Sequence, residues 1–121
     1  MKLTNTTGQL EFDNLIVDVS FPVNVAVVQV ESGQGLLVRG SVLGKTAEQK
    51  VIFVGGETTA TAEFVLATDI DTGNTPGSKV SAEVYVSGPF NREALIFNGD
   101  TGADAHELDL KKVGIYLKAV L

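Results

Sequence analysis

The sequence predicts a mainly β domain with one short helix near the C-terminus, at about 104–113. Short apolar runs rich in β-branched residues recur along the chain, and glycine-rich turns separate them; 13 of the 121 residues are glycine. The clearest run, from Val80 to Val86, alternates apolar and polar side chains, which is the pattern of a strand with one buried face. Helix-capping signals occur together at both ends of one segment, the predicted helix.

The composition is that of one globular domain. Hydrophobic residues make up 44% of the chain and charged residues 20%, so a chain of this length can bury a core, although its small size favours association with copies of itself. Cysteine is absent, which excludes disulfides, thiol catalysis and cysteine-based zinc sites. The formal net charge of −6 disfavours binding to nucleic acid, and no apolar run is long enough to span a membrane.

The N-terminus is predicted to be an arm. Residues 1–14 are rich in Thr, Asn and Gly, with isolated apolar side chains at Leu3, Leu10 and Phe12, and this composition favours a segment that is loose until a partner holds it. A secretion signal would be apolar here, so we expect the product to stay in the compartment where it is made. We assign residues 15–121 to a single β-rich domain.

Short strands are predicted through the first two thirds of the domain. In chain order they are Leu15–Val30 with a break at Phe21-Pro22, Leu36–Arg39 after the turn Gly33–Gly35, Val42–Gly44, Val51–Val54 and Ala62–Thr68. A long turn at 69–77 follows.

The next predicted strand runs from Val80 to Val86, with the alternate residues Ser81, Glu83, Tyr85 and Ser87 facing water. Gly88-Pro89 is predicted to end it in a turn, because proline cannot donate a hydrogen bond to a sheet. A strand at Glu93–Phe97 and a turn at Asn98-Gly99 follow.

The predicted helix begins at Asp104, whose side chain can cap it, and ends before Gly114. Lys111 and Lys112 suit the negative end of the helix dipole. Ala105, Leu108 and Lys112 share a face, which gives a narrow apolar stripe for docking on a sheet. A terminal strand from Ile115 towards Ala119 is expected.

No pattern in the chain predicts catalysis, a cofactor or a metal ion. Asp69 and Asp71 begin like a calcium loop, but the twelfth position is Val80 instead of glutamate, which favours a carboxylate-capped turn. His106 is the only histidine and lies in the predicted helix, where a partly exposed structural role is expected. Gly33-Gln34-Gly35 lacks the third glycine of a phosphate loop.

Phe90, Asn91 and Arg92 form a candidate contact with a sister subunit or with another protein. A large aromatic, an amide and a cation follow directly on the predicted Gly-Pro turn, where they can form a protein-binding tip. The alternative is that Phe90 fills the end of the domain's own core.

The chain resembles the head decoration proteins of lambda-like tailed bacteriophages, the capsid-stabilising decoration protein D family. The matching residues include Gly40–Gly44, Ala67–Asp71 and Gly114-Ile115. The most specific match is the pattern Val-Ser-Gly-x-Phe-Asn-x-x-Ala-Leu, which runs here from Val86 to Leu95. The match covers most of the chain after about Gly33, whereas the valine-rich first thirty residues depart from a simple arm.

This resemblance implies a bent-ribbon, β-clip-like small barrel and a structural role without catalysis. It implies homotrimers at three-fold positions on the outer surface of an expanded phage head, where they hold the major capsid protein against internal DNA pressure. Such a protein would be made as a soluble late protein in the bacterial cytoplasm and reside in the virion. The arm would bind the capsid, and its candidate residues are Leu3, Thr4, Asn5, Leu10 and Phe12. An alternative function is a small β-clip or β-barrel ligand-binding module, although the absence of tryptophan disfavours sugar recognition.

Overall fold

The computed structural model describes residues 15–16, 23–55, 60–99 and 102–118. Within these ranges the strands are β1 Asn24–Glu31, β2 Leu36–Leu37, β3 Val42–Lys45, β4 Val51–Phe53, β5 Thr61–Leu66, β6 Ile70–Asp71, β7 Lys79–Asn91 and β8 Ile115–Lys118. A 3-10 turn at Arg92–Ala94 follows β7, and the helix α1 spans Ala103–Lys112. The predicted arm, residues 1–14, lies outside the described residues, as does Phe21-Pro22.

Five strands close into a barrel in the order β1-β4-β3-β5-β7, and β7 pairs back onto β1. The prediction of a mainly β, small-barrel fold with one short C-terminal helix is therefore confirmed. The antiparallel β1–β7 ladder is long, from Glu31 opposite Lys79 to Asn24 opposite Ser87. A single parallel register pair, Val30 with Val51, joins β1 to β4. In addition to the barrel strands, β2 and β6 form a separate two-stranded sheet, from which Leu37 joins the side chains of the barrel interior.

The barrel interior is filled by its own side chains. The buried members of this cluster are Val30, Leu37, Leu43, Val51, Phe64, Leu66, Ala82 and Val84. The alternation predicted for Val80–Val86 accounts for two of them, because Ala82 and Val84 point inward. Since such a small barrel has side chains throughout its interior, it is a packed core and not a ligand cavity.

A second hydrophobic cluster lies on the outer face of the barrel wall, beneath α1 and β8. Its buried members are Leu15, Val42, Val54, Ala62, Val65, Ala67, Tyr85, Phe90, Leu95, Leu110, Ile115 and Leu117. Tyr85, which the alternation predicts to face water, is only 9% exposed. Its hydroxyl accepts a hydrogen bond from Arg39 at 2.8 Å. The prediction for Tyr85 is wrong because a second layer of the same chain covers this face of the sheet.

The strand β7 continues through Gly88 and Pro89, where the sequence predicts a turn. Gly88 has φ +138°, a backbone angle that glycine adopts easily, and its N–H donates to the carbonyl of Gly114 at 3.0 Å. Asn91 donates at 2.8 Å to Leu15, on the opposite edge of β7. Successive N–H groups of a strand point to alternate edges, so an N–H at position 89 would point towards Leu15. Its absence in proline therefore removes no hydrogen bond between β7 and β8.

The segment predicted as a strand at Glu93–Phe97 is a 3-10 turn followed by isolated bridges. The turn occupies Arg92–Ala94, and Ile96 then bridges to Ser41 while Asn98 bridges to Gly55. The turn begins at this point because Asn91 caps it: its side chain accepts a hydrogen bond from the N–H of Glu93 at 3.1 Å.

The helix α1 matches the prediction in position but not in its cap or its buried face. It begins at Ala103 with Gly102 as N-cap and no side-chain cap, so Asp104 lies in the first turn. Leu108 is 72% exposed, whereas Leu110 is fully buried. The predicted docking stripe is therefore wrong: α1 docks through Leu110, which packs in the outer cluster with Ile115. At its other end Gly114 has φ +93°, as a left-handed helix stop requires.

Candidate functional site

Two features carry the functional hypotheses: the end of β7 with the turn after it, and a groove along β8. The five candidate capsid-binding residues of the arm, Leu3, Thr4, Asn5, Leu10 and Phe12, lie outside the described residues. The point where the arm joins the domain is nevertheless defined. Leu15 is 3% exposed and bonded to Asn91, and Ile16 bridges to Phe90, so the arm is joined to the domain beside the end of β7.

Phe90 lies in the domain's own core. None of its side chain is exposed, and its ring centroid is 5.3 Å from that of Tyr85 at an interplanar angle of 51°. Such tilted aromatic pairs are favourable beyond the area that they bury. In this structure the side chain serves the interior, which is the alternative reading that the sequence left open.

Asn91 is 9% exposed and also has an internal role. Its backbone N–H holds Leu15, and its side-chain oxygen caps the 3-10 turn through Glu93. Because both groups are used within the chain, Asn91 fixes the direction in which the polypeptide leaves β7.

Arg92 is partly exposed and joins the turn to the first half of α1. Its guanidinium donates to Asp104 at 2.9 Å and to Glu107 at 2.7 Å, and 31% of its side chain is exposed. The hydrogen bond to Glu107 raises the pKa of Arg92 above its usual value, and the charges of Glu107 and Asp104 add to the rise. The cation is thus held by the protein's own acids, while its exposed part remains available to a partner.

The family-like pattern from Val86 to Leu95 is therefore largely structural. It contains the left-handed Gly88, the buried Phe90, the capping Asn91 and Leu95, which is 8% exposed. Together they carry the chain from the barrel wall into the second layer.

A groove of about 660 Å³ runs along β8 and was not predicted from the sequence. Its lining consists of Asn24, Ser87, Gly88, Pro89, Glu107, Lys111, Gly114, Ile115, Tyr116, Leu117 and Lys118. The lining is mostly apolar, with lysines on α1 and β8, and Tyr116 is 49% exposed. The predicted terminal strand was the one feature of the sequence that pointed to this groove. Lys111 gave no indication of it, because a lysine at the end of a helix is ordinary.

The strand β8 borders this groove, and within the described ranges only one of its two edges has a partner strand. It is the last strand of its sheet and pairs with β7 in parallel, from Gly88 opposite Ile115 to Asn91 opposite Lys118. In a parallel ladder alternate residues bond to each neighbour, and Gly114 bonds to β7. The backbone groups of Ile115 and Leu117 consequently point to the other edge, with which no strand of the described ranges pairs.

The acidic pair in the long turn acts as the predicted carboxylate cap. Asp69 accepts a hydrogen bond from the N–H of Arg39 at 2.7 Å, and Asp71 accepts one from the N–H of Gly73 at 2.9 Å. Over the described residues no group of three or more His, Asp or Glu side chains is placed to hold a metal ion. His106 is half-buried in α1 and stacks on Phe97, with ring centroids 5.2 Å apart.

Within the described residues no helix is long and apolar enough to cross a membrane. In comparisons with known proteins, no protein-family model matches the chain, and no curated protein sequence matches it.

Proposed function

We propose that this protein is a decoration protein of a tailed-phage head, which binds the outer surface of the expanded shell at three-fold positions and stabilises it without catalysis. One observation carries the proposal: the pattern Val-Ser-Gly-x-Phe-Asn-x-x-Ala-Leu from Val86 to Leu95. It is supported by the structure in that the named positions form one continuous passage from the barrel to the outer layer.

The mechanism is mechanical and depends on many weak contacts. A shell under pressure from packaged DNA is held by clamps that bridge neighbouring capsid subunits. In a trimer the second and third contacts form at high effective concentration, so modest contacts give firm attachment. The acidic chain, with a net charge of −6, has no charge attraction to the DNA inside.

We assign the contact with the major capsid protein to the N-terminal arm. An extended arm can add a strand to an exposed sheet edge, where main-chain hydrogen bonds supply binding without demanding particular side chains. The position of Leu15 at the end of β7 roots the arm at a fixed point of the domain. In the sequence, Leu3, Thr4 and Asn5 are the candidate residues farthest from Leu15.

The test is binding to expanded, undecorated phage heads, measured by co-sedimentation and quantitative gel densitometry. The wild-type protein should bind in a saturating, stoichiometric manner. Thr4→Pro removes a main-chain N–H, whereas Thr4→Ala keeps it, so strand addition predicts that only the proline variant binds weakly. Absence of binding by the wild-type protein would refute the function, and equal binding by the two variants would refute strand addition at Thr4.

The groove along β8 favours one alternative, a ligand-binding module. Its volume of about 660 Å³ lies within the usual range for small-molecule sites. Titration with a panel of oligosaccharides and small carboxylates, followed by amide chemical shifts of residues 114–118, tests it. Saturable micromolar binding together with no binding to heads would favour the module.

A further inference from the structure

We propose that the groove along β8 is the docking site for the segment Leu10–Asp13 of a second copy of this chain. The inference gives the proposed trimer a specific contact between its subunits. It rests on the proposed function only in requiring that copies of the chain associate. It also divides the arm: the residues before Gly8 are left for the shell, whereas Leu10–Asp13 bind the neighbouring copy.

The first argument is the match between an edge and a strand. The edge of β8 that faces away from β7 has no partner strand among the described residues and presents the backbone groups of Ile115 and Leu117, so an extended segment can continue the sheet there. In the arm, Leu10 and Phe12 alternate with Glu11 and Asp13, which is the period-two pattern of a strand with two different faces.

The second argument is the match of each face. On β8, Ile115 and Leu117 point towards the outer cluster, whereas Tyr116 and Lys118 point to solvent. A strand added at this edge places its apolar side chains beside Leu117 and its acidic side chains on the face of Lys118. Leu10 and Phe12 therefore extend the cluster, and Glu11 and Asp13 meet the solvent face.

The third argument is charge. The groove is lined by Lys111, Lys118 and one acid, Glu107, and that acid is already bonded to Arg92. The lining therefore combines two lysines with a single acid on a chain of net charge −6. A short acidic strand suits such a place, and opposite charges on neighbouring strands contribute modestly to pairing.

The length of the chain decides between the same copy and another one. Leu15 and β8 lie on opposite edges of β7. The N–H of Asn91 donates to Leu15, whereas the N–H of Gly88 donates to Gly114 at the start of β8. A strand added beyond β8 is therefore three strand spacings from Leu15, about 14 Å along the sheet. Asp13 is two residues from Leu15 and reaches at most about 7 Å, and Phe12 reaches about 11 Å. The segment cannot lie along β8 of its own chain, so it comes from a second copy.

Arm exchange of this kind is a heterologous contact, in which an arm meets a groove. A contact of this type closes into a ring when the rotation between copies permits it. The proposed three-fold arrangement satisfies that condition, with one arm and one groove used per copy.

The experiment uses the absence of cysteine, which makes every introduced thiol unique. Glu11→Cys and Tyr116→Cys are prepared as separate full-length variants, mixed at equal concentration and mildly oxidised. Residues 11 and 116 share the solvent face in the proposed pairing, so the mixed disulfide should form about tenfold faster or more than with the control. The control partner is Val27→Cys, which is 64% exposed on β1, lies opposite Glu83 of β7 and is not part of the groove lining.

Asp13→Cys is tested beside Glu11→Cys to cover the two possible registers. Linking at the control rate in both mixtures would overturn the proposal. A chain that carries both Glu11→Cys and Tyr116→Cys should form linked oligomers, and a mainly intramolecular disulfide at low concentration would also overturn it.

Two further outcomes separate this proposal from the proposed function. If the mixed disulfide forms but the protein does not bind expanded heads, the arm exchange stands and the decoration role fails. If the disulfide does not form and Tyr116→Ala loses binding to heads, the groove belongs to the shell protein and the arm exchange is refuted.

Discussion

Replacing Phe90 by alanine should destabilise the domain strongly. The side chain has no exposed surface; it contacts the ring of Tyr85 and belongs to the outer cluster together with side chains of α1 and β8. Replacing a buried phenylalanine by alanine lowers the free energy of unfolding by about 3–5 kcal/mol in comparable cores, because the transfer free energy of the ring is lost and a cavity remains. For a domain of this size each kcal/mol lowers Tm by roughly 3–6 °C, so a fall of about 9–30 °C is expected.

The assay is paired thermal and urea unfolding of Phe90→Ala and of a matched control. Leu108→Ala is the control because Leu108 is a large apolar residue of the same layer that is 72% exposed, and its removal should change the free energy of unfolding by less than about 0.5 kcal/mol. Light scattering of both variants at a temperature where they are folded reports association. Unchanged stability of Phe90→Ala together with lost association or lost binding to heads would refute the core assignment and restore Phe90 as a contact residue.

Three other changes test separate features. Gly44→Ala should prevent folding or lower Tm beyond Phe90→Ala, since a Cβ at Gly44 would lie 2.3 Å from the backbone oxygen of Thr61; a normal melting curve would contradict this contact. Gly88→Ala should cost about 1–3 kcal/mol in urea unfolding because φ is +138°, and a neutral result would contradict this backbone angle. Arg92→Ala should lower Tm slightly, by an amount that shrinks in high salt. The raised pKa of Arg92 means that its contribution is complete below the unfolded pKa and is lost only as pH rises through the folded one. The difference in Tm should therefore stay constant between about pH 6 and 9, and a slope across this range would contradict the assignment.

Much of the barrel could be predicted because its signals are local. The alternation that includes Ala82 and Val84 predicts the inward face of the strand. The position of Gly114 shortly after two lysines predicts the end of α1. Both inferences need only residues a few positions apart.

The outer layer could not be predicted because its parts are distant in sequence. Tyr85 is covered by Phe90, by Arg39 and by side chains from α1 and β8. The residues next to Tyr85 in the sequence do not predict these contacts. Pro89 predicted a turn. Whether a proline interrupts a strand depends on whether a neighbouring strand needs its missing N–H, and the positions of β8 and Leu15 decide this. The groove was missed for the same reason, since Asn24, Lys111 and Tyr116 come together only after the chain has folded.

The closure of the barrel by β1 and β7 has a consequence for biosynthesis. The last residue of β1 is Glu31 and the first of β7 is Lys79, so 48 positions separate the two halves of the longest ladder. At typical elongation rates of about 5–20 residues per second, roughly 2–10 s pass after β1 is made before synthesis of its main partner begins. During that interval the valines of β1 are accessible to other nascent chains, and the ladder forms slowly because its contacts are non-local. The yield of folded protein should therefore respond to the speed of translation between β1 and β7 more than to any step after Asn91.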